Sequence, residues 1–136
     1  WAAFLSRALI GILMTMAGYG KVFVFGTSYH TQEFFIKGFE GRWIPEPLLV
    51  LLGHGIPYFE LIVGVLVLIG LFTRPALVGL GFLHLLTTYG HALQSPLFDI
   101  GGFTFTRMVI IVFLLMLPVG TDKLSVDYLR SQRGAA

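Results

Sequence analysis

The sequence contains no cysteine, and only 12% of its 136 residues are charged. The absence of cysteine excludes disulfides, a thiol nucleophile, thiolate-bound iron–sulfur clusters and covalent haem attachment. The scarcity of charge excludes an ordinary water-soluble domain, in which about a quarter of the residues are charged. The net charge of +2 is small and scattered, so it does not predict nucleic-acid binding.

The chain is instead strongly apolar, with 56% hydrophobic residues and a mean hydropathy of +0.85. A helix needs roughly 17–25 mostly apolar residues to cross a bilayer. The candidate spans are residues 2–25, 47–72, 75–92 and 104–119. The sequence therefore predicts an all-α integral membrane protein, an antiparallel four-helix bundle that forms a single domain over residues 1–136. Because the chain begins with Trp1 rather than Met, we expect further residues before it.

The segments between and after the spans predict how the bundle sits in the membrane. Residues 30–44 alternate aromatic and charged side chains, which predicts an amphipathic helix in the interface. The polar tail, residues 120–136, lies on the same side as the N-terminus, here named side A. This side carries Arg7, Arg74, Lys123, Arg130 and Arg133. The positive-inside rule therefore predicts that both termini are cytoplasmic, in a bacterial or archaeal cell membrane, with the long first loop on the outer side, side B.

Small and polar residues recur every three or four positions on the first three spans, which predicts helix faces that pack inside the bundle. Counting along the spans puts Glu60 and His84 near the bilayer centre. Other polar residues fall in the side B half: Lys21, His54, Tyr58, His91 and Arg107. Together they predict a polar pocket that opens toward side B and has Glu60 and His84 at its floor.

Glu60 is the strongest single signal, because a carboxylate in hydrocarbon is costly unless it is protonated or paired. One interpretation is a carboxyl group that handles protons or binds a ligand. The other is a structural carboxylate that locks helices together through Lys21, Arg107 or His84. The residues support both interpretations equally. Lys21 and Arg107 also have a simpler interpretation, in which their side chains reach the headgroups on side B.

The histidines raise the question of a metal or haem. His54 and His91 have similar depths, as two haem ligands require, but an intramembrane histidine is more often a hydrogen-bonded packing residue. The spacing of His54, His84, His91 and Glu60 matches no diagnostic metal motif, so we predict no metal site and disfavour haem. His54 and Tyr58 share a helix face that suits either a quinone carbonyl or, as we favour, interfacial packing.

Three sequence patterns occur in order along the chain. The first is Arg7-x3-Gly11 followed by Gly18-Tyr-Gly-Lys21, and the second runs from Glu60 through Gly64 and Gly70 to Thr73-Arg74. The third is Gly120-Thr-Asp-Lys-Leu-Ser-Val-Asp127. With these patterns the chain resembles, over nearly its whole length, the DoxX family of small four-span membrane proteins.

The resemblance implies a four-helix bundle and an association with membrane oxidoreductases, since the family name comes from a subunit of a thiosulfate:quinone oxidoreductase. The family pattern maps onto Arg7, Lys21, Glu60, Gly64, Arg74 and Asp127, and it assigns no catalytic role to any of them. Two positions depart from it. Asp122 replaces the usual second glycine of the closing motif, and Arg107 stands where relatives often carry Glu.

Two functions from different classes remain open. In the first, the chain is a subunit of a membrane oxidoreductase or respiratory-type complex; it contacts quinone as a bound substrate, and the redox centres lie on partner subunits. In the second, it is a non-catalytic accessory subunit that packs against a larger membrane complex and its lipids. Glu60 discriminates between them, because only the first requires its carboxyl group for turnover. A small transporter is less favoured, since no inverted repeat is visible.

Overall fold

The computed structural model describes residues 1–95 and 104–134, and within them all regular structure is helical. The predicted all-α bundle is confirmed. Residues 96–103 lie outside the described part, as do residues 135–136 of the predicted tail. The elements in chain order are α1 (Ala2–Tyr19, continued by a π-helical turn over Gly20–Val24), α2 (Thr27–His30, continued by a π-helical segment over Thr31–Ile36), α3 (Glu46–Ile69), α4 (Thr73–Gln94), α5 (Thr106–Met116) and α6 (Val126–Gly134).

Three of the helices are long and apolar enough to cross a membrane: Ala2–Val24, Glu46–Ile69 and Thr73–Gln94. Their bounds lie close to the predicted ones, and the chain is a multi-pass membrane protein. Side chains on their outer faces, such as Ile12, Ile62 and Phe82, are exposed and contact lipid.

The fourth apolar helix ends earlier than predicted. The expected span covers residues 104–119, whereas α5 ends at Met116 and has 11 residues, a rise of about 16 Å. Leu117 is already extended, with φ −68° and ψ 143°. A residue that precedes proline is sterically disfavoured in the helical region, so Pro118 ends the helix early. The α-helical stretch Thr106–Met116 thus rises about half the thickness of the hydrocarbon, and residues 104–105 before it are π-helical.

The first loop also differs in detail from its prediction. Its helical part begins at Thr27 and ends at Ile36, and residues 37–44 are turns and bends. Phe34 and Trp43 are exposed, as interfacial anchors would be, but Phe39 is buried. The loop therefore packs onto the bundle instead of only lying in the interface.

α3 is the central helix, with its most extensive contact to α1. The two backbones approach closely at Gly11, where an added Cβ would lie 2.6 Å from the Cα of Leu68. The core that surrounds this contact is apolar and draws on all four apolar helices: Ile10, Met14, Ile56, Val63, Val67, Ala76, Leu77, Leu80, Leu83, Ile111 and Leu114.

The α1–α3 contact predicts the effect of a larger side chain. Gly11→Val would push the backbones apart, and we expect a loss of about 1–3 kcal/mol, seen as a lower melting temperature in detergent. Gly55→Val is the matched control, because an added Cβ at Gly55 meets nothing within 4 Å. Equal melting temperatures for the two variants would contradict this account of the contact.

Candidate functional site

An ion pair between α1 and α3 lies in the middle of the membrane. The Nζ of Lys21 donates a hydrogen bond to the Oε2 of Glu60 over 2.6 Å. Glu60 lies nine residues before Ile69, about 14 Å from the side A end of α3. Its side chain is 6% exposed, whereas that of Lys21 is 27% exposed. Lys21 is therefore the accessible partner of the pair.

His84 lies at the same depth on α4, eleven residues and about 16 Å beyond Thr73. It is buried, and its Nδ1 lies 2.7 Å from the carbonyl oxygen of Leu80. Because a carbonyl oxygen only accepts, Nδ1 carries the hydrogen and the Nε2 of the neutral ring is an acceptor. The charges of Lys21, Glu60 and Arg107 all act on this ring.

Arg107 stands in the first turn of α5, nine residues and about 14 Å from the side A end of this helix. The structure thus brings together four of the predicted pocket residues at one depth. These four residues are named the central cluster: Lys21, Glu60, His84 and Arg107. Within this cluster, Lys21 supplies an ammonium donor, and Glu60 and the Nε2 of His84 supply acceptors.

His30 is a site residue that the sequence reasoning missed. It is 6% exposed, and its Nδ1 donates to the carbonyl oxygen of Gly53 over 3.1 Å, so its Nε2 is also an acceptor. The charges of Lys21 and Glu60 act on His30 as they do on His84. The only signal in the sequence was a glycine, Gly53, whose missing side chain leaves room for the segment that carries His30.

The other predicted residues lie elsewhere. His54 is half-buried, and its Nδ1 lies 3.0 Å from both the carbonyl oxygen of Val50 and the Oγ1 of Thr31. Tyr58 is 48% exposed and His91 is exposed. The structure therefore does not bring Tyr58 and His91 into the central cluster. Within residues 1–95 and 104–134, no group of three or more His, Asp or Glu side chains is arranged to hold a metal ion.

His30 predicts a pH dependence of stability. Burial lowers the pKa of His30 below its ordinary value of 6.5, despite the bond to Gly53. The unfolded chain then binds the proton more readily, so stability should fall as the pH drops below 6.5 toward the folded pKa. We expect melting temperatures of the wild type to decline over this range. His30→Gln should flatten the decline, and an unchanged slope would contradict the assignment to His30.

At the side A end, Arg7 joins α1 to α3 and to the tail. The guanidinium is 2% exposed, its Nε donates to the carboxylate of Asp122, and its Nη1 donates to the carbonyl oxygens of Val67 (3.0 Å) and Leu68. Its Nη2 donates to the carbonyl oxygen of Leu124 over 3.2 Å. The predicted polar tail is therefore part of the fold.

Asp127 makes the second attachment of the tail. Its two carboxylate oxygens accept hydrogen bonds from the backbone N–H groups of Phe72 (2.9 Å) and Thr73 (2.8 Å), at the start of α4. Its own N–H donates to the carbonyl oxygen of Gly70 over 2.8 Å. Gly70 has φ 74°, and Ser125 packs against it so closely that a Cβ would lie 2.6 Å from that of Ser125. The residues that attach the tail to the bundle are named the tail clasp: Arg7, Gly70, Asp122, Ser125 and Asp127.

The comparison with known proteins identifies the family. The DoxX family model matches residues 2–92 of the chain. The chain belongs to the DoxX family. Searches of curated proteins and of solved structures found no match.

The family match covers Lys21, Glu60 and His84 of this DoxX protein and ends before Arg107 and the closing motif. Arg74, from the second pattern, donates to the carbonyl oxygen of Leu117 over 2.6 Å and so ties α4 to the end of α5. The polar residues of the three sequence patterns therefore divide into two groups. Arg7, Arg74 and Asp127 join helices and tail at side A, and Lys21 and Glu60 form the mid-membrane pair.

The tail clasp of the DoxX protein predicts a helix-capping effect. Backbone hydrogen bonds outweigh burial and hold the pKa of Asp127 below its ordinary value of 3.8. Asp127→Ala should therefore cost about 0.5–2 kcal/mol at neutral pH. The difference from wild type should shrink as the pH falls through the lowered pKa, where the carboxylate of the folded protein is protonated. Melting curves against pH measure both effects, and Glu40→Ala, at an exposed acid, should show neither.

Proposed function

We propose that this DoxX protein is a subunit of a membrane oxidoreductase that contacts quinone or quinol at the central cluster. The observation that carries the proposal is the Lys21–Glu60 pair, in which a buried carboxylate at mid-membrane meets a partly exposed ammonium, with the ring of His84 within reach of both charges. Ionisable groups inside a membrane bundle are costly, and they mark substrate or proton paths more often than they add stability. A quinone is itself dissolved in the hydrocarbon, so it reaches this depth without crossing water.

The donors and acceptors of the cluster match both redox forms of such a ligand. Lys21 uses one N–H for Glu60 and has two further hydrogens for a carbonyl oxygen or a developing oxyanion. Glu60, with the Nε2 atoms of His84 and His30, accepts hydrogen bonds from the hydroxyl groups of the reduced form. We assign proton exchange with the ligand to Glu60 and charge stabilisation to Lys21.

The accessible side of the pair favours entry of the ligand next to Lys21, beside the π-helical turn that ends the first span. The chain has no cysteine to ligate an iron–sulfur cluster, so we assign the electron-transfer centres to partner subunits. We further propose that residues 1–136 act as one domain of the cell membrane, with both termini in the cytoplasm. The tail clasp supports the single domain, and the basic residues of side A support the orientation.

Binding of a soluble quinol analogue to the purified chain in lipid nanodiscs tests the proposal. Glu60→Gln keeps an oxygen for Lys21 to donate to but removes the proton acceptor, and we expect affinity to fall by about tenfold, or 1.4 kcal/mol. The control is Glu33→Gln, since Glu33 forms an exposed pair with Lys37 over 2.5 Å. Unchanged affinity in a folded Glu60→Gln protein would contradict the proposal.

A second variant distinguishes loss of the binding site from loss of folding. Lys21→Met combined with Glu60→Leu removes both charges of the pair together, so neither is left unpaired in hydrocarbon. We expect this double variant to keep the melting temperature within the range of the wild type and to lose binding of the analogue. A folded double variant that still binds would contradict the assignment of the site.

The accessory role remains the second candidate, and the same ion pair favours it, because the pair joins α1 directly to α3. A purely structural pair predicts a different result. Glu60→Gln would then lower the melting temperature and the yield of the assembled complex, while affinity for the quinol analogue would stay that of the wild type.

A further inference from the structure

α6 is a helix with an unused apolar surface. No residue of Val126–Gly134 is buried in the protein. Leu129 on α6 and Leu124 just before it are each 56% exposed, and Phe72, at the start of α4, is exposed to the same degree. These three side chains lie beside the tail clasp and have no core of their own to pack into.

The acidic residues of the tail face the protein, whereas its basic residues face outward. Its two acids face the protein, because Asp122 pairs with Arg7 and Asp127 caps α4. Its basic residues are all exposed: Lys123, Arg130 and Arg133. The guanidinium of Arg130 also lies over the ring of Phe72, 5.6 Å from its centroid. The outward surface of the tail is therefore both basic and apolar.

The position of this surface is fixed with respect to the membrane. The tail clasp holds α6 against the turn from Gly70 to Thr73, where one span ends and the next begins. Phe72 has a left-handed backbone, φ 49° and ψ 40°, which non-glycine residues rarely adopt. The two N–H bonds to Asp127 hold this strained turn, and the turn keeps the ring of Phe72 at the membrane boundary.

We propose that α6, together with Leu124 and Phe72, is a platform that binds the anionic lipid surface of the side A leaflet. Exposed leucine and phenylalanine side chains enter the boundary between headgroups and acyl chains, while the arginines reach lipid phosphates. The occupant is inferred from charge complementarity and from the depth at which the clasp holds the helix. This inference does not depend on the quinone proposal, since the platform lies at the opposite end of the spans from His30.

A single fluorescent label tests the platform, because the chain has no cysteine and Gln132→Cys creates one reactive site. The full chain carrying this label is placed in nanodiscs of phosphatidylcholine, with or without an equal part of phosphatidylglycerol. Lipids with a headgroup-attached quencher report contact. We expect phosphatidylglycerol to raise quenching by about twofold, and added salt to reverse the gain.

Two pairs of substitutions provide the comparison. Arg130→Gln with Arg133→Gln should abolish the gain from phosphatidylglycerol without unfolding the chain, since neither residue belongs to the tail clasp. Lys37→Gln with Arg42→Gln removes the same charge from exposed positions of the first loop and should leave the gain intact. Equal quenching in the two lipid mixtures would overturn the proposal. So would a label that is shielded only when an acidic soluble protein is added.

Discussion

The ion pair between Lys21 and Glu60 requires α1 and α3 to lie close together, because a charged pair in hydrocarbon is tolerated only when the two groups meet directly. Glycines on both helices allow this approach. A Cβ at Gly18 would lie 2.7 Å from the Cα of Leu61, next to Glu60 in the chain. The glycines thus allow the close approach of α1 and α3 that the ion pair requires, and the apolar core fills the space around this contact.

Arg7 and Lys21 differ in how fully their hydrogen-bonding capacity is used. Arg7 donates from Nε, Nη1 and Nη2, to one carboxylate and three carbonyl oxygens, and is 2% exposed. These bonds use four of the five guanidinium N–H groups, all of them for contacts within the protein, as is typical of a structural group. Lys21 donates to one carboxylate and keeps a partly exposed side chain. This contrast supports assigning the ligand contact to Lys21 and Glu60 and the joining of helix and tail to Arg7.

Much of the fold follows from runs of apolar residues, and the depth of Glu60 and His84 follows from counting along helices. Counting gives the height of a residue but not which neighbour it faces. Tyr58 lies only two positions from Glu60, yet two positions turn a helix by about 200°, which puts the two side chains on opposite faces. Tyr58 is accordingly exposed while Glu60 is buried.

Two features were not predicted, the burial of His30 and the partner of Asp122, and both depend on long-range packing. His30 lies next to Thr31, whose side chain packs against Gly53 on α3, and Asp122 finds its partner 115 positions earlier in the chain. Neither relation leaves a local pattern in the sequence. The shortened α5 is a different case, since Pro118 is visible in the sequence and its effect on the preceding residue is a general steric rule.

The pairing of Arg7 with Asp122 also bears on the order in which the molecule is completed. Arg7 leaves the ribosome before the helices that it contacts, and its counter-ion Asp122 is made 115 residues later, after α5. Until then the guanidinium has to remain hydrated at the membrane surface, because an unpaired charge does not enter hydrocarbon. The side A end of α1 can therefore reach its final position only once Asp122 has been synthesised. A ribosome that stalls before Asp122 would leave an inserted chain whose first helix is still unsecured.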